Sequence, residues 1–225
     1  MPPWAQHALL FAGCFLAGSI PCSLLVGLTR GVDIRKVGSG NVGATNLGRA
    51  LGRKFFFIGF TLDMAKGLLP VLGAGWVLRT LGEPVPPMTP LLIWLGCAAA
   101  AVLGHVFTPW LGFKGGKGVA TGLGALLGVF PTLTVVGAGA LVIYLAVLAV
   151  WRTVSLSSVV AALCLPFILA GWFAVSLGGL GLATTWPFFL VVCAMTALVL
   201  WTHRANIARL RAGTEPRIGQ RVKAG

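Results

Sequence analysis

The sequence predicts an all-α, polytopic membrane protein, and three observations carry that reading. Of 225 residues, 57% are hydrophobic and only 9% charged, far from the balance of soluble domains. The charge is gathered into three clusters, at 30–54, 114–117 and 204–223, with long apolar runs between them. From Thr153 to His203 there is no Asp, Glu, Lys or Arg, which is enough chain for two crossings at ~20 residues each. A soluble helical bundle would need polar outer faces that these runs lack.

Taken in order, the apolar runs predict seven spans at 4–28, 55–78, 90–110, 118–130, 132–150, 156–175 and 186–202, in a single domain covering 1–225. The first lacks a basic leader region and a small-residue cleavage site, so it reads as a retained span. The fourth is short and ends at Pro131, which makes it a tilted or half-buried segment. The Gly-rich stretch 172–185 reads as an outer loop. Lys and Arg concentrate on the cytoplasmic side of membrane proteins. Placing the basic tail there puts the C-terminus inside and the N-terminus outside, and loops 30–54, 112–117 and 151–155 share the tail's side. Only Arg79 and Lys66 then fall elsewhere. Merging the fourth and fifth runs into one span would throw these loops onto opposite faces.

The net charge of +13 does not point to nucleic acid, because the basic residues form no contiguous patch with interleaved aromatics. The cysteines Cys14, Cys22, Cys97, Cys164 and Cys193 lie in apolar stretches without a CxxC pair, so neither a zinc site nor a disulfide framework is expected. Asp63 and Lys66 stand three apart inside the second span and meet on one helix face. They read as a structural ion pair, or as a pair whose lysine adds to an anion site.

Two of the charge clusters hold glycine-rich motifs. GSGNVG at 38–43 matches a dinucleotide fingerprint only in its letters, since no strand precedes it. GFKGGKG at 112–118 fails the Walker pattern in spacing, and Gly118 stands where Ser or Thr would hold magnesium. Consecutive glycines can still turn backbone N–H groups toward one anion. Lys114 and Lys117 add charge there, and Ser39, Asn41, Thr45 and Asn46 add neutral donors. Two such loops on one face point to two phosphate groups bound close together. His105 and His203 each end a span at that face, whereas His7 lies at the other. With four acidic residues in the chain, no carboxylate pair at hydrolase spacing and no cysteine in a polar loop, direct transfer between two bound substrates fits best.

GSIP (18–21), DIRKVGSGNVGATNLGRALG (33–52), LDMAKG (62–67), GHVF with GFKGGKGVAT (104–121), SLSS (155–158) and HRANIARLRAGTE (203–215) resemble the bacterial acyl-phosphate-dependent glycerol-3-phosphate acyltransferase family. The similarity runs the length of the chain in order; Thr108 before Pro109 departs from the family's usual proline position. The resemblance implies a seven-span enzyme of the bacterial inner membrane with its site at the cytoplasmic face. It would move a fatty acyl group from acyl phosphate to the 1-hydroxyl of glycerol 3-phosphate, giving lysophosphatidate and phosphate.

Carried over residue by residue, the resemblance implies that Ser39 and Asn41 hold the acyl-phosphate head with the backbone of Gly115 and Gly116. Arg49 and Lys114, with Lys117 beside them, bind glycerol phosphate, helped by Ser155, His203 and Asn206. Ser39, His105, His203 and Asn206 make up the catalytic group, with His105 orienting or polarising the acyl phosphate. Asp63, Lys66 and Glu215 are structural, Glu215 tying down the tail. The base is His105, His203 or the substrate's own phosphate. No cofactor or metal is expected, membrane lipids are the surroundings, and the protein is expected to be a monomer. The competing reading is a transporter of a phosphorylated or lipid anion, which glycine-interrupted helices would also suit.

Overall fold

The structure, a computed structural model, describes residues 2–176, 178 and 181–218. Among them are α1 (Pro3–Ser19), α2 (Cys22–Leu28), α3 (Ala44–Leu51), α4 (Arg53–Val77), α5 (Met88–Val106), α6 (Val119–Gly128), α7 (Thr132–Trp151), α8 (Val154–Ser176), α9 (Leu182–Thr202) and α10 (Arg204–Arg211). A 3₁₀ turn covers Pro109–Leu111, and no strand occurs among the described residues.

Six stretches are long and apolar enough to cross a bilayer: Pro3–Leu28, Arg53–Val77, Met88–Leu111, Thr132–Trp151, Val154–Ser176 and Leu182–Thr202. The remaining apolar helix, α6, has 10 residues. At 1.5 Å per residue it measures about 15 Å, half of the ~30 Å hydrocarbon layer. Its far end meets the α4–α5 loop: Gly82 N–H donates to Phe130 O at 3.3 Å, and Thr132 Oγ1 donates to Pro84 O at 2.5 Å.

Three other features depart from the expected layout. The first run is interrupted between α1 and α2, where Pro21 lacks the N–H that would continue the helix. The carbonyl of Ile20 at this break accepts from Lys66 Nζ at 2.5 Å. The segment 30–54, expected as loop, contains α3. The expected outer loop 172–185 is shorter, because α8 continues to Ser176 and α9 starts at Leu182; residues 177, 179 and 180 lie outside the described residues.

The core is built from α4 to α9, with Cys14 of α1 at its edge. Leu91, Leu133, Val136, Leu169, Phe188 and Val192 are completely enclosed, and Trp94 donates its indole N–H to Val71 O at 2.8 Å. Helices in lipid gain little from apolar burial against each other, so close backbone approach matters more. The α4–α6 crossing shows it: a Cβ on Gly67 would stand 2.2 Å from Thr121 O, and one on Gly124 2.0 Å from Met64 O. Glycine at both positions lets the helices touch, and Thr121 Oγ1 seals the crossing by donating to Asp63 O at 2.9 Å.

Candidate active site

The first glycine motif is held by Asn46, which sits buried in the first turn of α3. Its Oδ1 accepts from Ser39 N–H at 2.9 Å, while its Nδ2 donates to Ile34 O at 2.7 Å and Val37 O at 3.1 Å. Asn46 is therefore a staple for the loop rather than a free donor. Gly38 (φ +59°) and Gly40 (φ +68°) take the left-handed backbone this turn needs. Asn41 Oδ1 accepts from Gly43 N–H at 3.0 Å and so shapes the start of α3. Ser39 stays exposed at the bend, and Arg49 projects from the exposed face of α3.

The second motif folds differently from the anion nest its glycines suggest. Gly115 N–H donates to Val106 O at 2.9 Å and Gly116 N–H to His105 O at 3.2 Å, closing the C-terminal turn of α5. Both amides are thus engaged, which corrects the expectation that they face an anion. What the glycines provide is proximity: a Cβ would lie 1.9 Å from His105 O at position 115 and 2.2 Å from His105 Nε2 at position 116. Lys114 is exposed and lies outside the cavity described below, whereas Lys117 lines it. Burial, partly offset by nearby Glu215, lowers the Lys117 ammonium to a pKa of about 8.

The end of α9 and α10 supply the third side. Lys117 Nζ donates to Asn206 Oδ1, and Asn206 Nδ2 donates to Glu215 Oε1 at 2.6 Å. Glu215 also accepts from Ser155 Oγ at 2.7 Å and from Arg209 Nε at 2.7 Å. Burial alone would raise its carboxyl, but these donors together hold it below the ordinary glutamate value. Its tail-tying role therefore reaches α8 and α10, with Ile218 N–H on Arg152 O at 2.7 Å completing the strap. His203 is buried, with Nδ1 2.8 Å from Val199 O. A carbonyl can only accept, so Nδ1 carries the proton and Nε2 keeps its lone pair. Burial first, and Lys117 second, lower this imidazole to about 4, leaving it neutral near pH 7.

The Asp63–Lys66 pair is present as expected, with Nζ 3.0 Å from Oδ1 and both side chains buried. Ser23 Oγ donates to Asp63 Oδ2 at 2.7 Å. His105 Nδ1 lies 4.0 Å from Asp63 Oδ1.

A cavity of about 190 Å³ gathers these parts. Its polar end is lined by Ser39, Asn41, Thr45, Asn46, Arg49, Asp63, His105, Lys117, Ser155, His203, Asn206 and Glu215. Its other end is apolar and runs between α6, α7, α8 and α9 past Leu123, Leu126, Ala140, Tyr144, Leu165 and Met195. Of the expected site residues, Lys114, Gly115, Gly116 and Lys66 do not line it. The apolar arm escaped the sequence reading because its residues look like any membrane core. One signal existed: Tyr144 is the only tyrosine in the chain, set in an otherwise apolar helix. The arrangement can hold an amphiphile, with cations and hydroxyls at its head and packed hydrocarbon around its tail.

Residues 8–213 match the family model described as glycerol-3-phosphate acyltransferase. The chain belongs to that family. Relatives named glycerol-3-phosphate acyltransferase include one from Geobacter metallireducens, 50% identical over 210 residues, covering 93% of this chain and 96% of the relative. Another, from Geobacter sulfurreducens, is 45% identical over 213 residues, covering 94% and 97%. The fold is similar to the crystal structure of PlsY (YgiH), an integral membrane glycerol 3-phosphate acyltransferase, in its glycerol 3-phosphate form. That likeness has a TM-score of 0.78 at 34% identity and covers 95% of this chain and 96% of the other. The form of the same enzyme with lysophosphatidic acid gives 0.77 at 33% identity, with the same coverage.

Proposed function

We propose that this protein is a glycerol-3-phosphate acyltransferase whose donor is acyl phosphate. The products are lysophosphatidate and inorganic phosphate, which feed phospholipid synthesis. The observation that carries the reading is the single cavity with a cationic, hydroxyl-rich head and an apolar arm. Each substrate brings a phosphate, and one also brings a hydrocarbon chain.

In this reading Ser39 and Asn41 hold the acyl-phosphate head. Arg49 and Lys117 bind the phosphate of glycerol 3-phosphate, with Ser155 and Asn206 beside them; Lys117 takes the part expected of Lys114. His203 offers Nε2 to a glycerol hydroxyl. The 1-hydroxyl attacks the acyl carbonyl, the new ester C–O bond forms, and the anhydride C–O bond breaks with its electron pair leaving on phosphate. Cations placed before the reaction stabilise the charge on the oxyanion and the leaving group. A base within ~3 Å takes the hydroxyl proton.

The same proposal places seven crossings in the bacterial inner membrane, with the N-terminus outside, the C-terminus in the cytoplasm and the site at the cytoplasmic face. Support comes from the basic residues gathered at one end, and from α6 joining that end to the α4–α5 loop. The same proposal takes the chain as a monomer and a single domain. Detergent-purified protein given radiolabelled glycerol 3-phosphate tests the donor. Lysophosphatidate should form with palmitoyl phosphate and not with palmitoyl thioesters; product from the thioester alone would refute this donor assignment.

A further inference from the structure

The corner where α2, α3 and α4 meet carries cations that the chain itself does not balance. Arg53 and Lys54 open α4, and Arg30, just after α2, lays its guanidinium over the Phe55 ring at 5.3 Å from the centroid. Phe55 packs on the small core of Leu24, Ile34, Val42 and Leu47, so Arg30 and the start of α4 belong to one packed unit. All three cations are exposed, and none of them lines the cavity.

The chain has four acidic residues, and none is placed to answer this charge. Asp33 pairs with Arg35 at 2.8 Å, Asp63 with Lys66 at 3.0 Å and Glu215 with Arg209 at 2.7 Å, while Glu83 lies beyond the opposite end of α4. The start of α4 sharpens the imbalance. A helix begins with the positive end of its dipole and favours acidic residues there. The first turn of α4 has none, and its N-cap, Gly52, has no side chain to cap it. Cations stacked on a positive pole without an internal counter-charge call for an anion from outside.

The surroundings of the patch say which anion. Arg53 and Lys54 stand four and three residues before Phe57, so on the helix they share its face. Phe57 is exposed, as are Leu62 and Leu69 farther along this membrane-spanning helix. Phe56 turns the other way: it lines the cavity and packs on Gly48, where a Cβ would stand 2.6 Å from its own. The α3–α4 hairpin thus has a cavity side, with Arg49 and Phe56, and a lipid side, with Lys54 and Phe57. A small free anion would engage the cations and leave the apolar face beside them unused, whereas a lipid engages both. We infer that this lipid side is a binding site for an anionic phospholipid. Its phosphate sits among Arg30, Arg53 and Lys54, and its acyl chains lie against Phe57 and the exposed leucines beyond it. Basic residues directly beside a span attract anionic headgroups in this way.

The test uses the full-length protein in detergent, freed of lipid, with phosphatidylglycerol or phosphatidylcholine carrying a photoactivatable diazirine in one acyl chain. Phosphatidylglycerol should label the stretch 57–69 at least about tenfold more than phosphatidylcholine does. Arg30→Gln combined with Arg53→Gln and Lys54→Gln should weaken that labelling by about 10²-fold, at roughly fivefold per cation removed, with the thermal midpoint unchanged. Lys54→Gln alone guards against a triple variant that does not fold, and should show the single fivefold loss. Equal labelling by the two lipids, or undiminished labelling in the variants, would overturn the inference. Excess inorganic phosphate, set against chloride at the same ionic strength, should leave the labelling in place. Full displacement by phosphate would make this a site for a small anion and refute the lipid as its occupant.

Discussion

Ser155 Oγ donates to Glu215 Oε1 at 2.7 Å, between residues 60 positions apart in the chain. The bond ties the start of α8 to the segment after α10 at the mouth of the cavity. Because Asn206 and Arg209 share the same carboxylate, one glutamate fixes the groups around the anion end. Ser155→Ala removes one hydrogen bond to a charged group and should cost about 1.5–3 kcal/mol. Glu215→Ala strands three donors and should lower the thermal midpoint in detergent further than Ser155→Ala. Equal midpoints for the two variants would show that Glu215 is not the hub.

The depressed pKa of Lys117 sets an alkaline limit. Burial favours its neutral form, so the ammonium is complete only below about 8 and disappears as pH rises through that value. In the free enzyme, kcat/KM for glycerol 3-phosphate should fall about tenfold per pH unit above it. Lys117→Arg, whose guanidinium stays charged, should move this limb to higher pH at reduced activity. Glu215→Gln should move it lower, because Glu215 helps keep the ammonium protonated. A flat profile to pH 10 in wild type would show that Lys117 does not bind the substrate anion in its charged form.

Neighbouring glycines should respond differently to alanine. At Gly115 the new methyl would meet the backbone carbonyl of His105, so Gly115→Ala should unfold the end of α5 and lower the thermal midpoint. At Gly116 the atoms it would meet first belong to the imidazole, a side chain that can swing. Gly116→Ala should keep a near-normal midpoint while kcat drops by about 10²-fold from misplacement of the ring. Paired turnover and melting curves separate the two; matched behaviour would mean the loop does not bear on His105.

Below the polar end, the apolar arm is lined in part by Leu126, Ala140 and Leu165. Ala140→Phe should fill part of the arm and shift the chain preference toward lauroyl over palmitoyl phosphate by up to about 10²-fold in kcat/KM, since palmitoyl's four extra methylenes are worth ~0.8 kcal/mol each when buried. An unchanged chain preference would place the acyl tail elsewhere.

Much of this layout was legible because charge is scarce. The order of apolar runs, the common end of the glycine motifs and the Asp63–Lys66 pair all follow from where polar residues are allowed in lipid. What stayed hidden depends on contacts between distant segments. Gly115 and Gly116 read the same whether their amides face an anion or close onto α5, and only the neighbouring His105 decides. Lys114 and Lys117 differ by three positions, yet only Lys117 is turned inward, toward Asn206, which lies 89 positions later. The short α3 was masked by its glycines and polar residues; it is anchored by Leu47 packing on Leu24, Ile34 and Val42. The length of α6 depends on how far the α4–α5 loop dips to meet it, which no local pattern records.

The central claim is transfer from acyl phosphate to glycerol 3-phosphate in one cavity. The measurement that tests it most directly is phosphate release from palmitoyl phosphate by detergent-purified protein, with and without glycerol 3-phosphate, in wild type and Lys117→Ala. Release should require glycerol 3-phosphate, match lysophosphatidate formed mole for mole, and collapse in the variant. Release that ignores glycerol 3-phosphate, or none at all from folded wild-type protein, would contradict it.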